Sequence, residues 1–156
     1  MYLLLKFVHL LAVILFLGNI ITGLFWHAHA TRTHDPKLLA HAMAGIIRSD
    51  RYFTIPGVLL IVAAGIGLAI LGHFPILRTG WILWTLILFA ISGFLFGWRV
   101  APLQKQLHLL AISGTDTGVF DYQQYHRLAV RWELWGAAAL LMPMLGMGLM
   151  VLKPGL

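Results

Sequence analysis

Histidine and methionine side chains stand inside apolar segments of this sequence, where they could ligate a metal centre. His9 lies within the apolar run from Tyr2 to Trp26. Ionisable side chains inside such runs are costly, and a functional role is the default interpretation. A neutral imidazole at this position could ligate haem iron or copper. The alternative is a structural histidine that hydrogen-bonds to a neighbouring helix, and the sequence leaves both open.

The last apolar run, Leu128 to Leu152, contains methionines and a proline. A thioether can be an axial haem ligand and also suits Cu(I), although methionine more often fills gaps in apolar cores. At the predicted depth of the histidine, Met144 and Met147 are candidate partners. His73, at the end of another apolar run, is a further candidate. Pro143 is expected to kink its helix and to free a carbonyl group.

Other ionisable residues are interpreted as structural. Four histidines follow the first apolar run, at His27, His29, His34 and His41. Their spacing matches no closed zinc site, so a solvated cluster is predicted. Glu133 is expected to form an ion pair with Arg99 or Arg131 that fixes helix packing. A role for Glu133 in proton transfer is the alternative. The sequence has no glycine-rich phosphate loop, serine elbow or paired carboxylates, so enzymatic activity stays undecided.

The composition indicates an integral membrane protein. The chain has 156 residues, of which 60% are hydrophobic and 10% are charged. Soluble domains have about 25% charged residues, so lipid must cover part of this surface. The net charge of +6 does not indicate a nucleic-acid partner, because the basic residues lie between apolar runs. The chain has no cysteine, which excludes disulfides and thiolate metal sites.

The elements that must position these side chains are membrane-spanning helices, which need about 20 mostly apolar residues each. Four segments qualify, at about 2–26, 52–72, 81–101 and 128–152. The predicted fold is all-α, a transmembrane four-helix bundle with short amphipathic cytoplasmic helices, in a single domain over 1–156. Gly93 and Gly97, like Gly65 and Ala69, have the spacing that lets helices approach closely.

The distribution of lysine and arginine predicts the orientation. Most of the 11 basic residues lie in the two longer loops, at Arg32, Lys37, Arg48, Arg51, Arg99, Lys105, Arg127 and Arg131. Loops rich in lysine and arginine face the cytoplasm. Both termini are therefore predicted to be periplasmic, in a bacterial inner membrane.

The two longer loops are predicted to be partly helical. Asp35 and Pro36 are typical of a helix start, and the apolar stripe up to Ser49 predicts an amphipathic helix at the membrane interface. Residues 113–118 are predicted to form a turn. Asp121 and Gln124 resemble a capping box, so the fourth long helix should begin near Tyr122.

Three stretches carry a resemblance to a known family. They are residues 2–12 (YLLLKFVHLLA, with His9), residues 51–57 (RYFTIPG) and residues 150–154 (MVLKP). Over nearly the whole chain, the sequence resembles an uncharacterised family of bacterial four-span membrane proteins, domain of unknown function 2269. That family is similar to HemJ-type protoporphyrinogen oxidases and to CopD-type copper-resistance membrane proteins.

The HemJ-type and CopD-type proteins share a histidine early in the first span, and HemJ-type proteins also end in a Lys-Pro motif. The resemblance implies that His9 matches the histidine linked to haem b. Residues 23–29 (GLFWHAH) lack the arginine that HemJ-type proteins place there. This departure counts against oxidase activity more than against haem binding.

The leading hypothesis is a haem b-binding membrane protein that acts in electron transfer or porphyrin chemistry near the outer face. A copper-handling membrane protein that uses His9 and the methionines is the second. A cofactor-free accessory subunit is the third. Besides the lipid bilayer, the hypothesised partners are haem or porphyrin and a homo-oligomer or membrane complex.

Overall fold

The computed structural model describes residues 1–155 as helices joined by short loops. The elements are α1 (Tyr2–Thr31), α2 (Pro36–Ser49), a π-turn (Asp50–Thr54), α3 (Ile55–Leu71), α4 (Gly80–Leu95), a second π-turn (Phe96–Val100), α5 (Ala101–Thr117) and α6 (Tyr122–Leu152). Residues 36–71 and residues 80–117 are each one uninterrupted helix. Within the described residues, four helices are therefore long and apolar enough to cross a membrane. This confirms the predicted transmembrane helical bundle.

The predicted helix between the first two spans forms, but its predicted place at the membrane interface is wrong. The side chain of Asp35 accepts a hydrogen bond from the backbone N–H of Lys37 at 2.8 Å, and Pro36 occupies the first turn. The helix then runs through the π-turn into α3 without a break. Leu39 and Met43 are fully buried, because the apolar stripe packs against α5 instead of facing lipid.

The two central helices are longer than a membrane requires. At a rise of 1.5 Å per residue, 36 residues span about 54 Å, whereas the hydrocarbon core is about 30 Å thick. The excess lies at one end, where α2 and α5 pack with the adjoining ends of α1 and α6. We call this part the extension. Its buried core includes Leu39, Met43, Leu107, Ala111 and Tyr125. The opposite end, where both chain termini lie, is the terminal end.

In the spanning region the helices form two pairs. α1 packs on α3, and α4 packs on α6. Within residues 1–155, no Cα atom of α3 lies within 8 Å of a Cα atom of α4 or α6. A cleft therefore separates the pairs, and α2 and α5 hold them together at the extension. Phe16 and Phe89 meet across the cleft with their ring centroids 5.7 Å apart.

The pair α4 and α6 is joined by side-chain hydroxyl groups. Pro143 has no N–H, so the carbonyl of Ala139 loses its helical donor. The hydroxyl of Ser92 donates to that carbonyl at 2.7 Å. The sequence predicted that Pro143 frees a carbonyl group. That carbonyl accepts its hydrogen bond from the neighbouring helix. α6 stays helical through this position.

Small residues mark only some of the helix contacts that their spacing predicted. A Cβ atom at Gly67 would lie 2.7 Å from Cδ2 of Leu5, so this glycine lets α3 approach α1 closely. Gly93 and Gly97 have no such neighbour within 4 Å. The predicted close contact there is wrong, because α4 packs on α6 through Ser92 and through Thr85, which faces Gly146.

The connection before α6 is shorter than predicted. α5 continues to Thr117, and Gly118 then reverses the chain with a left-handed φ of 70°. A turn over all of residues 113–118 is therefore wrong. α6 begins at Tyr122, as predicted, and the side chain of Asp121 accepts a hydrogen bond from the backbone N–H of Gln124 at 2.9 Å.

Candidate functional site

A cavity of about 470 Å³ occupies the cleft at the terminal end. We call it the terminal cavity. Its polar lining includes Lys6, His9, Thr85 and Lys153, and its apolar walls include Phe16, Phe74, Trp81, Phe89, Met147 and Met150. Small-molecule and cofactor sites commonly have volumes of about 300–1,000 Å³ and mostly apolar walls. The cavity therefore has the size and character of a cofactor site.

His9 is held in one orientation on the wall of this cavity. Its Nδ1 lies 2.9 Å from the backbone carbonyl oxygen of Ile61 in α3. A carbonyl oxygen only accepts, so Nδ1 must carry the proton and donate. In the neutral imidazole, Nε2 then has a free lone pair. Metal-ligating histidines are typically oriented in this way by a hydrogen bond from the other ring nitrogen.

Gly65 makes room for the imidazole of His9 against α3. A Cβ atom at Gly65 would lie 3.1 Å from Cε1 of His9, which is tighter than ordinary contact. The missing side chain thus allows the ring to reach the carbonyl of Ile61 one turn earlier. Gly65, which belongs to the small-residue pair that predicted a close helix contact, thus also gives His9 the space it occupies.

The charged lining of the terminal cavity is entirely basic. Lys6 comes from the first turns of α1, and Lys153 follows the last residue of α6. Lys153 adopts a left-handed φ of 44° and places Nζ 5.5 Å from the ring centroid of Trp81. No aspartate or glutamate lines the cavity in the described part of the chain. The terminal cavity is therefore suited to a ligand with an apolar body and anionic groups.

The candidate partners of His9 divide into two groups. Met147 lines the terminal cavity, as does Met150, because both lie on the same face of α6 as Pro143. Met144 does not line the cavity, since it is turned by about 100° from Pro143, although the two side chains are similarly exposed, Met144 at 44% and Met147 at 43%. His73 is exposed in the turn after α3, with a left-handed φ of 56°, and does not line the cavity either.

A second cavity, of about 230 Å³, lies in the cleft beside both π-turns. We call it the junction cavity. Asn19, Asp50, Thr54, Gln104 and Trp132 are among its lining residues. Phe16 and Phe89 line both cavities, so their rings form the partition between them.

Glu133 has a different partner from the arginines that the sequence predicted. Its Oε1 lies 3.2 Å from Nδ1 of His27. Arg99 instead lies over the ring of Trp98, 4.0 Å from its centroid, and Arg131 is exposed. Among residues 1–155, His27 and Glu133 are the one pair of basic and acidic side chains within 4.0 Å of each other.

His27 is buried, contrary to the prediction of a solvated cluster of histidines. Its side chain is 0% exposed, and Nε2 lies 3.1 Å from the hydroxyl of Tyr125. The cause is tertiary, because the first turns of α6 cover this face of α1. His29, His34 and His41 remain exposed. Over residues 1–155, no three histidine or acidic side chains are grouped to hold a metal ion.

Asp50 is the main residue that sequence reasoning missed. It is 8% exposed, although it lies between the predicted helix that ends at Ser49 and the predicted span that begins at residue 52. The helical spacing contained a usable signal, because Leu39, Met43, Ile46 and Asp50 follow one another by four, three and four residues. Asp50 thus continues the apolar stripe of α2. Its partner Asn19 shares a face of α1 with His9 and Phe16, which it follows by ten and three residues.

Comparison with known proteins assigns the chain to a family. No curated protein and no solved structure matches the sequence. A family model described as "Predicted integral membrane protein (DUF2269)" matches residues 3–154. The match covers nearly the whole chain and agrees with the four apolar helices of the structure. The chain therefore belongs to the DUF2269 family of predicted integral membrane proteins.

Proposed function

We propose that this protein binds haem b in the terminal cavity and serves in electron transfer or porphyrin chemistry. The observation that carries the proposal is His9, which donates through Nδ1 to the Ile61 carbonyl and leaves Nε2 free on a cavity of about 470 Å³. Haem iron takes a neutral histidine as an axial ligand. Met147, on the α6 wall of the same cavity, is the proposed second ligand.

The lining favours haem over copper. His9, Met147 and Met150 are ligand types that suit Cu(I), so a copper site is the alternative. A copper ion needs far less space than this cavity provides, and two lysines beside it would repel a cation. Haem b has a large apolar ring and two carboxylates, which Lys6 and Lys153 would pair at the terminal end. Size and charge together therefore support the haem proposal.

The absorption spectrum of the purified wild-type protein tests this function. Expression with ample haem supply should yield a protein with a Soret band and about one haem per chain, as expected for one haem-binding bundle. Metal analysis of the same sample should find iron and little copper. Copper without a Soret band would favour the copper alternative. A colourless protein that contains neither metal would favour a cofactor-free accessory subunit and would contradict the proposal.

We further propose that the protein lies in a bacterial inner membrane with both termini in the periplasm. The exposed basic residues support this orientation. Eight lie at the extension, whereas Lys6, Arg78 and Lys153 lie at the terminal end. Lysine and arginine are retained on the cytoplasmic side, so the extension would be cytoplasmic. The terminal cavity would then lie in the periplasmic half of the membrane.

Fusion of a reporter to Leu156 tests the orientation. Alkaline phosphatase fused there should be active, because it folds only outside the cytoplasm, and a cytoplasm-active reporter at the same position should be silent. Fusions to Gly118, in the extension, should give the opposite pattern. Activity of the cytoplasmic reporter at Leu156 would refute the proposed topology.

A further inference from the structure

Asp50 is a buried carboxylate at the junction of the spanning region and the extension. It is the first residue of its π-turn and is 8% exposed. Its Oδ1 accepts hydrogen bonds from Nδ2 of Asn19 at 3.2 Å and from the hydroxyl of Thr54 at 2.7 Å. Its Oδ2 accepts from Nε2 of Gln104 at 2.8 Å. Partners from α1, from α5 and from its own π-turn therefore converge on this one side chain.

None of these partners carries a positive charge. The basic residues on the surrounding elements are exposed and do not line the junction cavity: Arg48 and Arg51 beside Asp50, Arg99 and Lys105 beside Gln104, and Arg131 on α6. The nearby His27 and Glu133 contact each other. An ionised carboxylate in a low-dielectric interior costs several kcal/mol unless a cation accompanies it. The network thus supplies hydrogen bonds to Asp50 and no countercharge.

The surroundings of Asp50 offer oxygen atoms and space for a small cation. Thr54 brings its hydroxyl oxygen to the carboxylate, and rotation of the Asn19 or Gln104 amide, whose nitrogen now faces Asp50, would add an amide oxygen. The cavity volume of about 230 Å³ is enough for water. Trp132, which lines the same cavity and is 3% exposed, has an indole N–H without an acceptor in residues 1–155. A water oxygen bound with the cation would accept from that group.

The backbone beside Asp50 has the irregularity that often accompanies functional sites. Both π-turns line the junction cavity, and each is followed closely by a proline, Pro56 or Pro102. π-turns inside helices occur frequently at functional sites, and a proline removes the donor of an upstream carbonyl. A π-turn followed by a proline thus occurs on both sides of the junction cavity.

We propose that Asp50 is the centre of a binding site for one small monovalent cation, a proton or a sodium ion. A proton would convert Asp50 to the neutral acid, with the amide of Gln104 turned so that its oxygen accepts. A sodium ion would be coordinated by the carboxylate and by the hydroxyl and amide oxygens around it. The site lies beyond the Phe16–Phe89 partition, so it does not depend on a cofactor in the terminal cavity.

Thermal unfolding of the purified full chain tests the site. The unfolding midpoint of the wild type should rise by several degrees on replacing choline chloride with sodium chloride if sodium binds, or on acidification if a proton binds, since a ligand of the native state alone stabilises it. Asp50→Asn keeps the size of the side chain and has no charge to neutralise. This variant should lose the dependence, whereas Asp116→Asn, on the exposed surface of α5, should keep it.

Each outcome decides the proposal. Loss of the sodium response in Asp50→Asn identifies sodium, and loss of the pH response identifies the proton. An Asp50→Asn protein with the same response as wild type to both conditions overturns the proposal. If Asp50→Asn does not fold, Thr54→Val retains the carboxylate and removes one oxygen. Thr54→Val should shift the sodium concentration, or the pH, at which the unfolding temperature changes by half. An unchanged value would also overturn the proposal.

Discussion

Replacing His9 by alanine should abolish haem retention and remove the Soret band that we expect of the wild type. The imidazole is the one histidine that lines the terminal cavity in the described residues. Its Nδ1 is committed to the carbonyl of Ile61 at 2.9 Å, so Nε2 is the nitrogen available to iron. Alanine offers no ligand atom. Absorption spectra of the two proteins, purified in parallel from cells with ample haem, give the measurement.

His73→Ala is the matched control for the His9 variant. His73 also lies at the terminal end, but it is exposed and outside the cavity. This variant should therefore keep the wild-type spectrum. Far-UV circular dichroism must show that His9→Ala is still helical, because loss of a buried polar partner can also destabilise the bundle. A folded His9→Ala protein with the wild-type haem content and spectrum would show that His9 is a packing residue.

Two methionines on α6 provide a matched pair for the second ligand. Met147 lines the terminal cavity, and Met144 does not. Met147→Leu keeps the side-chain volume and removes the thioether, so it should shift the Soret and α bands. Met144→Leu should leave both bands in place. Equal spectra for the two variants would exclude Met147 as the axial ligand.

Replacing His27 by alanine should destabilise the protein by about 3 kcal/mol. The imidazole is fully buried, so its removal leaves a cavity in the core. It also leaves the hydroxyl of the fully buried Tyr125 without its partner at 3.1 Å. Glu133 loses its contact as well, but it is partly exposed and can turn to water. The measurement is equilibrium unfolding of the purified protein by SDS, followed by circular dichroism.

Exposed histidines give the comparison for His27. His29→Ala and His41→Ala change residues at the same end of the bundle that are open to solvent. These variants should stay within about 0.5 kcal/mol of wild type, as surface substitutions usually do. Tyr125→Phe removes one hydroxyl, and its loss of stability should lie between those of the exposed histidine variants and that of His27→Ala. A His27→Ala protein as stable as His29→Ala would contradict the burial of His27 between α1 and α6.

Features that depend on neighbouring residues were predictable from the sequence. Asp35 and Asp121 cap helices through backbone N–H groups two and three residues later, so the starts of α2 and α6 were predicted correctly. The low charge content and the length of the apolar runs indicated a membrane bundle, because lipid must cover what water does not. Helical periodicity puts His9 and Phe16 on one face of α1, and both line the terminal cavity.

The sequence did not predict that α2 continues into α3, or that α4 continues into α5, as one long helix. Pro56 and Pro102 lack an N–H, so each removes the helical donor of an upstream carbonyl. The π-turns before them form bonds across five residues, from Ile55 N–H to the Asp50 carbonyl and from Ala101 N–H to the Phe96 carbonyl. The chain therefore continues as helix. α2 becomes an extension of α3 instead of a separate helix on the membrane surface.

Only the tertiary structure decided which side chains meet. The sequence places Glu133 near the depth of Arg131 in α6 and Arg99 in the second π-turn, but α6 meets α1 at His27, 106 residues earlier. It places Met144 and Met147 equally close to the depth of His9, but the rotation of α6 turns only Met147 to the cavity. Asp50 became a buried residue because α5 brings Gln104 to it from 54 positions away. Local hydrogen bonds and periodicity specify each helix, whereas contacts between distant residues depend on how the helix pairs rotate and pack.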